Sequence, residues 1–158
     1  MKKIVKVLLI LIIPMTLLIG CEKTEIKALK DSPTVFKFEE FSLVLEAYVS
    51  RDFFPGGLPG VQNSRMRSTS KLTDQNHNDI SARFDLIKQY VIDNDDVWES
   101  NFESESNSTE DYIIQKSVSN GPEWDTGIKV DVVCKFVDIS TGIEYKIMVE
   151  DQIIERTE

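Results

Sequence analysis

Only two cysteines and one histidine occur in the 158 residues of this chain. That shortage excludes a good deal. A structural zinc site takes four N or S ligands, more than Cys21, Cys134 and His77 supply. A nucleophile–histidine pair has only His77 to use, and that residue sits in a polar stretch between Asn76 and Asn78. No G-x-S-x-G elbow and no glycine-rich phosphate loop with its lysine occur. Positive charge is scarce as well: 18 lysines and arginines face 27 aspartates and glutamates, a net charge of −9. An acidic surface repels nucleic acid and anionic headgroups, so neither is an expected partner through charge. Long apolar runs are almost missing, with one exception at the very start.

That exception opens Met1-Lys2-Lys3, adds Lys6, and is almost wholly apolar from Val7 to Ile19. A charged start followed by a short apolar core reads as a secretory signal. A membrane-spanning helix needs about 20 apolar residues, and Pro14 interrupts this run. The run ends Leu18-Ile19-Gly20-Cys21. That junction resembles the lipobox of bacterial lipoproteins: an aliphatic residue, a tolerant position, a small residue, then an obligatory cysteine. The resemblance implies cleavage between Gly20 and Cys21, with a diacylglycerol and an N-acyl chain such as palmitate carried on Cys21. Residues 1–20 are then the signal peptide, and the membrane is reached through lipid. Without them the chain carries 15 basic and 27 acidic residues, a net charge of −12. Cys134 would have no disulfide partner within the chain. Its place in an alternating apolar run reads as a small buried hydrophobe.

Residues 21–34, polar and lysine-rich, read as the acylated cysteine and a flexible tether. The rest, 35–158, suits one domain. Phe41, Leu43, Leu45, Ala47 and Val49 alternate with polar residues, which marks a half-buried strand. Residues 51–79 break the pattern and read as a long loop, with room for a short strand near Arg65 to Leu72. Residues 82–92 fit either a helical stripe or a strand face with Lys88 as the exception. The turn cluster Asp93-Asn94-Asp95-Asp96 and the following Val97 to Phe102 favour a strand hairpin. A short strand is expected from Asp111 to Val118.

The strongest pattern comes late. Ile128, Val130, Val132, Cys134 and Phe136 alternate, then "DISTG" at 138–142 turns the chain, then Ile143, Tyr145, Ile147 and Val149 alternate. Keeping both sets on one face pairs Phe136 with Tyr145 and Cys134 with Ile147, and sets Lys135 against Lys146. "QIIERTE", 152–158, reads as a last short strand or a frayed end. With six or seven such strands and no convincing helix, the expected fold is all-β: an antiparallel two-sheet sandwich of immunoglobulin-like type, with a small closed β-barrel as the alternative.

Candidate chemistry is thin. Phe53 and Phe54, before the rigid Pro-Gly turns of 55–60, form either a partner-binding tip or a plug for one end of the core. Asp93, Asp95, Asp96 and Glu99 could furnish the carboxylate pair of a hydrolase or carbohydrate-active domain. Asp74, Asn76, Asn78 and Asp85 fall at positions 1, 3, 5 and 12 of a calcium loop, although Asp79 stands where that loop needs glycine. No metal or other cofactor is the expected state, with calcium as the third reading. "NST" at 107–109 matches a glycosylation acceptor and is read as chance.

Beyond the lipobox, "AYVSRDFFP" (47–55), "VWES" (97–100), "GPEWDTGIKVDVV" (121–133) and "DQIIERT" (151–157) resemble segments of small lipoproteins of Bacteroidota-type bacteria without an assigned activity. The resemblance implies an exported β module and carries over no catalytic residue. The expectation is thus a non-enzymatic binding or scaffolding module of the bacterial cell envelope. It would be periplasmic or surface-exposed, with the outer membrane favoured, and would meet a protein partner there.

Overall fold

The structure is a computed structural model and describes residues 25–53, 65–103 and 105–157. It is all-β apart from one short helix, α1, at residues 25–30. Eight strands follow: β1 (Val35–Phe38), β2 (Phe41–Asp52), β3 (Met66–Asp74), β4 (Phe84–Asp93), β5 (Asp96–Asn101), β6 (Ile113–Val118), β7 (Lys129–Asp138) and β8 (Glu144–Thr157). They form one mixed sheet in the order β5-β4-β7-β8-β2-β3-β6, with β1 paired to β2 beside that path. The sheet curls back on itself around a single main core. Phe41 of β2 meets Phe84 of β4 edge to face at 5.3 Å, and Ser70 of β3 donates to Gln89 of β4 at 3.3 Å.

The late hairpin has the expected register: Phe136 opposite Tyr145, Cys134 opposite Ile147, Lys135 opposite Lys146. The cost of facing lysines is relieved by Glu144, whose carboxylate lies 2.9 Å from Lys135. Gly142 takes a φ of 72° in the turn, a conformation open to glycine without a Cβ penalty. The 84–101 hairpin also forms, joined by Asn94 and Asp95.

Four expectations need correction. The sheet is not wholly antiparallel: β2 and β8 run parallel where Val49–Asp52 pair with Ile154–Thr157. The 14-residue β8 makes this possible, because Asp151 at φ 58° breaks its course. β8 pairs with β7 as far as Ile153, across that irregularity, and with β2 only from Ile154 on. The terminal "QIIERT" is therefore part of β8, not a separate strand, and its Ile154–Thr157 form the seam between the two halves of the sheet.

Second, within 51–79 the strand allowed for near Arg65 to Leu72 is present and longer than expected: the nine-residue β3, paired with β2 on one side and β6 on the other. Third, Ile87 is a bulge in β4, since Leu86 faces Phe136 while Lys88 faces Lys135. The extra residue reverses the alternation. Phe84, Leu86 and Val91 join the main core, while Tyr90 and Ile92 point to the other face. That reversal is why Lys88 looked like an exception.

Fourth, the flexible tether read over 21–34 is corrected for residues 25–33. Ile26 and Leu29 of α1 are buried against Tyr90, Ile92, Val133 and Met148, on the outer face of β4, β7 and β8. Lys30 pairs with Asp131 at 3.1 Å, and the Met148 N–H donates to the Pro33 carbonyl at 2.9 Å. Six residues are far too few for a helix to persist alone in water. Burial of two aliphatic side chains, about 1.5–3 kcal/mol each, holds this one in place.

Candidate functional site

A concavity opens where β1 approaches the start of β8. β8 touches β2 only over its last four residues, and β1 pairs with the opposite end of β2, Phe41 to Val44. The strands splay between those two pairings. There the structure leaves a cleft of about 450 Å³, lined by Pro33, Phe36, Lys135, Glu144, Tyr145 and Lys146. Its floor is aromatic. Phe36 lies 4.8 Å from Tyr145 and 5.2 Å from Phe136, and Phe38 lies 6.1 Å from Tyr145. Phe36, Phe38 and Tyr145 are half-buried, so each keeps part of a ring toward solvent.

The rim is charged. Lys135 stands between Lys88 on β4 and Lys146 on β8, a row of three lysines across the sheet. Glu144 neutralises Lys135, and Glu99 holds Lys88 in a hydrogen-bonded ion pair. That bond, working against partial desolvation, keeps the Lys88 ammonium above its ordinary pKa. An apolar floor beside fixed donors and acceptors can hold a ligand with one flat apolar face and a polar edge. Phe36 and Tyr145 are 109 positions apart and look like ordinary core residues in the sequence. Only the splay of β8 from β2 makes them neighbours on a surface.

A second hollow, of about 300 Å³, lies between α1 and the β4–β5 hairpin. Glu25, Asp95, Asp96 and Glu99 surround it, above Ile26 and Tyr90. Three of the four carboxylates considered for hydrolysis therefore share one depression, with Glu25 added. Glu99 is occupied by Lys88.

The remaining candidates separate. Asp74 is fully buried and spends both oxygens on main-chain donors, Oδ1 accepting from Ser42 N–H at 2.7 Å and Oδ2 from Asn78 N–H at 2.8 Å. Asn76 and Asn78 turn their amide groups to the Glu40 carbonyl, at 2.8 and 3.1 Å. Asp85 is elsewhere, on β4, bound to the buried ammonium of Lys116 at 2.8 Å. The calcium pattern is thus used to pin the β1–β2 turn to the end of β3. Among the described residues no cluster of three His, Cys, Asp or Glu is placed to hold a metal ion.

His77 packs against Tyr112 with the rings tilted and their centres 4.5 Å apart. Phe53 is half-buried and lies near the guanidinium groups of Arg51 and Arg156, at 5.0 and 4.3 Å. Phe54, Gly20 and Cys21 lie outside the described residues. Cys134 is fully buried, and burial pushes its thiol up to about 12 against a hydrogen bond with Ser70.

A second buried carboxylate was not singled out from the sequence. Asp138, at the end of β7, accepts from Ser140 N–H at 2.9 Å and from Arg83 Nη2 at 3.2 Å. Arg83 also reaches Glu39 at 2.8 Å and lies over the rings of Phe38, Phe41 and Phe84. This fastens the β7–β8 turn to the end of the sheet, and the hydrogen bonds from Ser140 hold the Asp138 carboxyl below its usual range.

Comparison with protein-family models, with curated proteins and with solved structures finds no match to this chain.

Proposed function

We propose that this chain is a lipid-anchored, non-catalytic binding module of the bacterial cell envelope, exported by residues 1–20 and acylated on Cys21. The cleft between β1 and β8 is its ligand site. The observation that carries this reading is the half-exposed aromatic floor of Phe36 and Tyr145 beside the Lys135–Glu144 pair, on a rigid β scaffold. Non-catalytic use is supported by where the carboxylates go: Asp74 and Asp138 are consumed by main-chain and arginine donors, and Glu99 by lysine. The finer fold reading, a two-leaf immunoglobulin-like sandwich joined through β8, is supported by the Phe41–Phe84 and Ser70–Gln89 contacts across the core.

Two experiments test the reading. Cys21→Ser should leave the precursor uncleaved and remove the acyl mass from the protein. A variant still cleaved before residue 21 and still lipid-modified overturns the lipoprotein assignment. For the cleft, an envelope extract is passed over the immobilised mature domain and over its Lys146→Glu variant. A component held by the first and lost by the second is the expected result. Identical retention by both overturns the cleft as the ligand site.

A further inference from the structure

The docked helix restricts how an anchored domain meets its membrane. Strand β4 runs from Phe84 to Asp93, and its partner β7 runs the opposite way, with Phe84 facing Asp138 and Ile92 facing Asp131. The β4–β5 turn at 94–95 and the β7–β8 tip at 139–143 are therefore at opposite ends of the sheet. A ten-residue strand separates them by about 33 Å. Glu25, the first described residue of α1, shares a hollow with Asp95 and Asp96 and so belongs to the β4–β5 end. Ile26, Leu29, Lys30 and Pro33 each tie the segment to the sheet, so it does not swing. Between Cys21 and Glu25 there are four peptide steps, a reach of at most about 14 Å.

We propose that the β4–β5 end is the membrane-facing end, held within that reach of the bilayer surface, while the 139–143 tip and the β1–β8 cleft point away from it. The inference rests on the lipoprotein reading and replaces a domain on a leash by one standing on a short post. Charge sets the stand-off. At the membrane-facing end Lys30 and Lys129 are paired with Asp131 and Asp151, and Glu25, Asp93, Asp95 and Asp96 outweigh exposed Lys27, so this end is acidic and repelled by anionic headgroups, and the acyl chains are its main hold on the bilayer. Ile139 and Ile143, exposed at 55% and 52%, sit on the opposite tip, beyond the tether's reach if the domain stands upright, while Val97 and Ile153 are exposed at the membrane-facing end. Ile139 and Ile143 are then available to an outward partner rather than to the acyl chains.

The test supplies the lipid chemically, so that it does not depend on processing in the cell. The mature chain, 21–158, contains every described element. It is joined through Cys21 to a maleimide-bearing lipid in phosphatidylcholine vesicles; Cys134, buried with its thiol pushed up to about 12, does not compete. A coumarin-bearing residue replaces either Asp95 or Thr141, both exposed, and energy transfer to rhodamine headgroups is read. Transfer from position 95 should exceed that from position 141 by at least about two-fold, given the ~33 Å between the ends. Equal transfer, as for a domain lying on its side or swinging freely, overturns the proposal, as does the reverse order. A Leu29→Asp variant that keeps its β circular dichroism should lose the difference; if it keeps the difference, α1 is not what orients the domain. Failure here with Cys21→Ser behaving as expected leaves the anchor standing and removes only the orientation.

Discussion

Single residues carry more than their chemistry suggests. Gly121 donates its N–H to the Met66 carbonyl and lies beneath the indole of Trp98, where a methyl group would sit 2.8 Å from ring carbons. Gly121→Ala should cost about 1–3 kcal/mol, the ordinary price of overpacking, and urea denaturation of the mature domain measures it. Asp138 fixes how stability responds to acid. Its folded pKa is depressed, chiefly by the Ser140 hydroxyl, so its contribution is complete above the unfolded value near 4 and is lost as pH falls through the lower folded value. Asp138→Asn should therefore lower stability at pH 7 and flatten its dependence on pH below about 4, seen in melting temperatures across that range. The two effects have one source, the ionised form that Ser140 and Arg83 favour.

At the level of elements, the surprise is which segments lacked a readable pattern. β3 turns Met66, Ser68, Ser70, Leu72 and Asp74 inward, and three of those five are polar. Alternation of apolar and polar residues was therefore absent from a strand at the centre of its half-sheet. α1 was hidden for a different reason. Six residues give too little periodicity, and its docking surface is spread over Tyr90, Ile92, Val133 and Met148, on three strands distant in sequence. A trace of it was present: Val133 and Met148 are apolar on what should have been a wet face. If α1 is part of the fold, Leu29→Ala should cost about 2–3 kcal/mol, at the lower end for a buried leucine because the helix can shift toward the gap. An unchanged denaturation midpoint would return residues 25–33 to the status of a tether.

Backbone pairing between the two half-sheets is confined to four residue pairs. Val49–Asp52 and Ile154–Thr157 are the link between the half-sheet of β2, β3 and β6 and the half-sheet of β4, β5 and β7. Ile154 is fully buried there. A chain ending at Ile153 loses that pairing and should lose its cooperative thermal transition, measured by circular dichroism; a retained sharp melt would show the two halves suffice without the seam.

Alternation alone determined the β character, both hairpins and the pairing of Phe136 with Tyr145, since register follows when one face must be buried. The junction at Leu18 to Cys21 is likewise a property of local sequence. The tertiary structure alone decided the direction of β2 against β8, the phase change at Ile87, the docking of α1 and the meeting of Phe36 with Tyr145. Each of those depends on segments far apart in the chain. Local patterning says which side of a strand is dry; it does not say which distant strand will cover it.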